Sequence, residues 1–204
     1  MWPTQAAPPR AETLRYYLMT DMVIGYDADF LEHRVAERYN ADLANSLGNL
    51  LNRSLSMAGR YGEGRLSRGQ PLSNELELLV QASSSLANDF AMSGTMETVI
   101  RIAGQANSDI EKTSPWKMIK EGKRAEVAEI LYDLAERLRI IAILISPVLP
   151  TAAHGIFDQL NWKMELSGKE ERFSLVEAEW GRLPDGHVVG KPVPLFPRIE
   201  PSTN

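Results

Sequence analysis

The chain has 204 residues, 44% hydrophobic and 24% charged, and its 22 basic and 27 acidic side chains leave a net charge of −5 at pH 7. This is the composition of a folded globular protein, and its acidic balance excludes a chain that holds nucleic acid mainly by neutralising phosphates; no DNA partner is expected. Cysteine is absent, which removes disulfide frameworks, thiolate zinc sites and cysteine nucleophiles together, with a reducing compartment, the cytoplasm, as the expected location.

The first ten residues, MWPTQAAPPR, lack a basic segment followed by an apolar one, so they read as a flexible leader without a signal peptide. A short helix is predicted over Ala11–Leu18, then a loop through Asp21, Gly25, Tyr26 and Asp27. Asp29 is placed to cap a helix over Phe30–Tyr39, and a separate helix is predicted from Ala41 to Arg60. In that helix Leu43, Leu47, Leu50, Leu51, Leu55 and Ala58 mark the buried face, while Asn45, Asn49, Asn52, Arg53, Ser56 and Arg60 form the other. Gly62, Gly64, Gly69 and Pro71 break the chain before a third predicted helix over Leu72–Met92.

A fourth helix over Thr95–Lys112 places Met96, Val99, Ile100, Ala103 and Ile110 near one face. Ser114 followed by Pro115 reads as a capping hydroxyl and a first-turn proline. Gly122 interrupts this short helix, and a long one over Arg124–Ile145 ends at Pro147 and Pro150. Its apolar end falls well short of the roughly 20 residues of a membrane span, so no membrane partner is expected. Its carboxylates Glu126, Glu129, Asp133 and Glu136 read as a solvated face. A last helix is predicted over Thr151–Leu160, and from Gly168 onward apolar residues scattered among glycines and prolines predict an extended, partly β return along the bundle. The expected fold is all-α: an antiparallel helical bundle with an extended C-terminal tail.

Three histidines, His33, His154 and His187, are too far apart in sequence for ligand spacing, so no metal site is expected. The nearest approach to a phosphate-binding loop, Gly181 to Gly186, is followed by His187 instead of lysine. Spacing alone gives no catalytic residue. Asn49 and Arg53 stand out, because residues four apart on a helix lie about 40° apart around the axis at a rise of ~6 Å, so both heads can grip one planar group. Trp116 offers an aromatic face. Taken singly, each also fits a solvent-facing polar residue or a packing indole.

LRYYL at Leu14–Leu18, ERYNADLANSLGNLLNRSLSM at Glu37–Met57, SPW at Ser114–Trp116 and GKPVPLFPRIE at Gly190–Glu200 resemble, in order, the C-terminal half of methionyl-tRNA synthetases. The resemblance implies a class I synthetase anticodon-binding domain, divided as leader 1–10, connector 11–37, helical bundle 38–165 and return segment 166–204. It implies anticodon contacts at Asn49, Arg53 and Trp116, with Pro115 beside the tryptophan, Asn107 on the preceding helix, and Glu111 repelling wrong anticodons by charge. It further implies the methionine tRNA anticodon CAU and a catalytic domain as partners, with ATP and magnesium used by the parent methionine–tRNA ligase and no cofactor in this chain. Asp109 stands where relatives usually have an aromatic. No H-x-G-H-type motif or K-M-S-K-S loop is present, and the stretch Lys117–Lys120 only superficially resembles the latter, so the chain alone is expected to be inactive. The alternatives are a free-standing helical interaction module that has lost RNA recognition, and the anticodon domain of a class I synthetase for isoleucine, valine, leucine or cysteine.

Overall fold

The computed structural model describes residues 10–22, 27, 29–72, 92–162 and 174–199. Residues 1–9 of the leader, Gly25, Tyr26, the body of the helix predicted over Leu72–Met92 and the start of the tail at Gly168 lie outside these residues, while Arg10, counted with the leader, opens the first helix. All regular structure among the described residues is helical. Helix α1 spans Arg10–Asp21 and α2 spans Glu32–Arg38, which runs without a break through a π-wound stretch, Tyr39–Gly48, into α3, Asn49–Gly62. Then come α4 (Met92–Thr113), α5 (Pro115–Lys120), α6 (Arg124–Ile145), α7 (Pro150–Gln159) and a 3-10 turn at Leu175–Glu177.

Two sequence expectations change at the second helix. Asp29 caps nothing; the helix starts after Leu31, with no side-chain cap. The predicted separation between Tyr39 and Ala41 is absent, since Arg38 and Tyr39 both keep right-handed helical angles. Buried side chains explain the winding: Val35, Tyr39, Leu43, Leu47, Leu51 and Leu55 recur every fourth residue, and all are buried. In an α-helix each such step drifts about 40° around the axis, whereas the wider i→i+5 turn undershoots, so the π stretch keeps the strip facing one core. Asn45, Asn49 and Arg53 keep the same four-residue step on another side of this run.

Helix α6 is the axis of the fold. It packs against α3, α4, α5 and α7, and every residue from Leu131 to Ile145 is buried. That overturns the solvated-face reading of Asp133 and Glu136, both 0% exposed. Their partners come from distant chain. Glu136 accepts hydrogen bonds from the Gly181 and Leu183 amides and from Arg139, whose guanidinium also donates to the Glu177 and Glu179 carbonyls. Asp133 accepts from the Trp180 indole and the Leu72 amide. Burial pushes the Asp133 carboxyl above its ordinary range, opposed by the charge of Arg137.

This buried pair fastens the return segment, which then crosses the start of the loop after α3. The expected β pairing reduces, among the described residues, to one antiparallel bridge between Arg65 and Val188. Pro192, Pro194 and Pro197 have no amide hydrogen to extend a ladder. Gly64, at φ +81°, sits where a Cβ would lie 2.9 Å from the Val189 carbonyl oxygen, so only glycine lets the two backbones meet there. Helix α1 packs on α4, with Glu12 accepting from the Thr151 amide at the start of α7 and the Tyr16 hydroxyl donating to Asp42.

Candidate functional site

Helices α3 and α4 present their polar residues to one another in matching steps. Asn49 Nδ2 donates to Asn107 Oδ1 at 3.4 Å, and one turn further on in both helices Arg53 Nη2 meets Glu111 Oε1 at 2.5 Å. The pairs advance together, so α3 and α4 run in the same sense along this contact, as helices on either side of the one predicted over Leu72–Met92 would in an antiparallel bundle. The Arg53 side chain is 27% exposed and that of Glu111 62%, which leaves the ion pair open to solvent from one side.

The orientation of these amides follows from their surroundings. Asn107 Nδ2 donates to two backbone carbonyls, Ser46 at 3.1 Å and Ala103 at 3.0 Å, which can only accept. Its Oδ1 is therefore the atom offered to α3, and Asn49 must answer with its own Nδ2. Among the described residues the acceptor oxygen of Asn49 is left available, one helical turn from a guanidinium that can only donate. A planar group carrying an amino donor beside ring acceptors complements this order of atoms; one with donor and acceptor exchanged does not.

Between α4 and α5 the chain turns through Ser114 in the left-handed region, φ 47°, ψ 62°. Its hydroxyl makes no cap for α5, contrary to the sequence expectation; it donates to the Glu111 carbonyl at 2.9 Å, while its amide donates to the Ile110 carbonyl. The serine thus closes α4 instead of opening α5. Pro115 takes the first position of α5 as expected and is buried. Trp116 follows it, half-buried, one side packed on the core. Asn49, Arg53, Asn107 and Glu111 are in direct contact, whereas Pro115 and Trp116 are attached through the Ser114 turn.

Sequence reading missed a second wall. A cleft of about 410 Å³ lies between the Asn45–Asn52 face and the return segment at Pro194, Leu195, Phe196 and Arg198, with Asn49 on its lining. Arg198 Nε donates to Asn45 Oδ1 at 3.0 Å, and Asn40 exchanges two hydrogen bonds with the Ile199 backbone, at 2.8 and 2.9 Å. A faint signal existed: asparagine is a poor interior helix residue, yet Asn40, Asn45, Asn49 and Asn52 cluster on one helical run. Among the described residues no group of three or more histidine or acidic side chains is arranged to hold a metal ion, and no helix is long and apolar enough to cross a membrane.

Comparison with known proteins adds the family. Residues 4–55 match the family model for tRNA synthetases class I (M), and residues 58–204 that for the anticodon binding domain of methionyl tRNA ligase. A methionine–tRNA ligase of Thermosynechococcus vestitus is 33% identical over 199 residues, covering 93% of this chain and 38% of the relative. The chloroplastic/mitochondrial methionine–tRNA ligase of Arabidopsis thaliana is 31% identical over 201 residues, 93% of this chain and 32% of the relative. The solved structure of Mycobacterium tuberculosis methionyl-tRNA synthetase in complex with methionyl-adenylate superposes with a TM-score of 0.76 at 29% identity, over 92% of this chain and 37% of that one. The chain spans well under half the length of these relatives. With the second family model covering most of its residues, it belongs to the methionyl-tRNA ligase anticodon-binding domain family.

Proposed function

We propose that this chain reads the CAU anticodon of methionine tRNA as the C-terminal part of a methionine–tRNA ligase, whose parent enzyme attaches methionine to tRNA using ATP and magnesium. The catalytic domain of that enzyme is the second partner; the chain itself supplies no catalytic residue and no cofactor site. Its outline is that of a connector over 11–37, a bundle over 38–165 and a return over 166–204, with the cytoplasm as its place of work. One observation carries the reading: Asn49 and Arg53, held in register against Asn107 and Glu111, offer an acceptor beside fixed donors. Cytosine displays an amino donor and two acceptors on its pairing edge, whereas uracil places an acceptor and an N–H donor at the corresponding atoms. Arg53 fits the acceptors of the first anticodon base and Asn49 Oδ1 its amino group; uracil sets donor against donor. Glu111 holds the guanidinium and repels competing negative charge, and Trp116, after Pro115, gives a base a face to stack on.

The test is binding of an anticodon stem–loop hairpin carrying CAU, at low salt where local contacts are least screened. The UAU hairpin is expected to lose most of the binding, and Trp116→Ala to weaken the CAU complex by about 1–3 kcal/mol, the scale of one base–aromatic stack. Equal affinity for the two hairpins overturns base reading and leaves the helical interaction module. ATP–pyrophosphate exchange by the chain alone is expected to be nil.

A further inference from the structure

Behind the reading pair, α4 is fastened by a buried charge contact. Asp109 lies midway between Asn107 and Glu111, so its side chain leaves the helix about 200° around the axis from each. Those two face α3. Asp109 faces α6, where Arg137 Nη1 stands 2.9 Å from its Oδ2. The Arg137 side chain is 2% exposed and that of Asp109 13%. Asp133, one turn back on α6, takes Arg137 Nε at 2.7 Å and is itself held by the Trp180 indole and the Leu72 amide. Gln105 Nε2 donates to the other Asp109 oxygen at 2.9 Å.

A buried acid–base–acid chain is a poor source of stability, since apolar residues of the same volume commonly do as well or better. Here Arg137 Nη2 and Asp109 Oδ2 are both buried without a hydrogen-bond partner among the described residues, so Asp109 and Arg137 meet as an ion pair, while the fork's hydrogen bond goes from Nε to Asp133. What such a chain does supply is register, because a planar guanidinium meets carboxylates on two elements only at a narrow range of rotation and slide. The turn of α4 so fixed is the one that presents Asn107 and Glu111. Resting on the function proposed above, we infer that Arg137 is a positioning residue: through Asp109 it sets the placement of Asn107 and Glu111 against Asn49 and Arg53, and with it the discrimination between bases.

The measurement is the ratio of affinities for the CAU and UAU hairpins, made with the whole chain. Arg137→Met is expected to lower that ratio about tenfold, and to have little further effect in an Asn107→Ala/Glu111→Ala background, because coupled groups fail to add. Arg137→Lys keeps the charge without the fork and is expected to fall between; should Arg137→Met not fold, this variant decides alone. Ile156→Ala, a core truncation on α7, controls for general loosening and is expected to leave the ratio unchanged. An unchanged ratio in the Arg137 variants, full additivity with Asn107→Ala/Glu111→Ala, or an equal fall in Ile156→Ala overturns the inference. A wild-type ratio of one sinks the anticodon reading and this inference with it, whereas a wild-type preference for CAU that survives at Arg137 sinks the inference alone.

Discussion

Tyr39 shows what the π-wound stretch asks of one side chain. Its ring is 1% exposed and meets Phe196 edge-on at 6.5 Å, while its hydroxyl has no hydrogen-bond partner among the described residues. Burial therefore pushes the phenol up to about 12 from 10.0. For an acid raised in the folded state, the unfolded chain loses its proton first, so stability falls as pH rises between 10 and 12, by up to about 3 kcal/mol. Tyr39→Phe is expected to be near neutral at pH 7 and to flatten that alkaline loss, as read by urea unfolding at pH 7 and at successive pH values above 10. The residues of the site were partly legible at this scale. Asn49 and Arg53 follow from a four-residue step on a helix, but the pairing of Asn49 with Asn107 does not, because it depends on two backbone carbonyls supplied by a fold the sequence does not display.

At the scale of elements, glycine at position 64 joins the end of α3 to the return segment. Gly64→Ala meets a positive φ and the Val189 carbonyl oxygen at once. The expected loss is about 1–3 kcal/mol, measured by thermal unfolding, with no change in helical content by circular dichroism. Helices α6 and α7 were readable nearly to the residue from their prolines, since Pro147 and Pro150 can neither continue one helix nor spoil the start of the next. The junction at Tyr39 was not readable: a shift from α to π winding leaves the four-residue apolar step intact and inserts no breaker. Ser114 misled for a related reason, as a serine before a proline signals a cap while its backbone here turns left-handed to end the helix before it.

Over the whole molecule, the carboxylates of α6 taught the wrong lesson in sequence, because acids spaced at Asp133 and Glu136 look solvated until a segment some forty residues later covers them. Glu136→Ala leaves Arg139 buried without its counter-charge and the Gly181 and Leu183 amides without an acceptor. An expected loss of about 3–5 kcal/mol by denaturant unfolding, with faster trypsin cleavage after exposed Arg182, checks that the pair holds the return in place. That return carries Arg198 to Asn45, 153 residues away along the chain. A ribosome adding about 5–20 residues per second makes the second partner roughly 8–30 s after the first. One wall of the cleft thus waits, uncovered, through that whole interval, and the pocket closes only once Arg198 has been made.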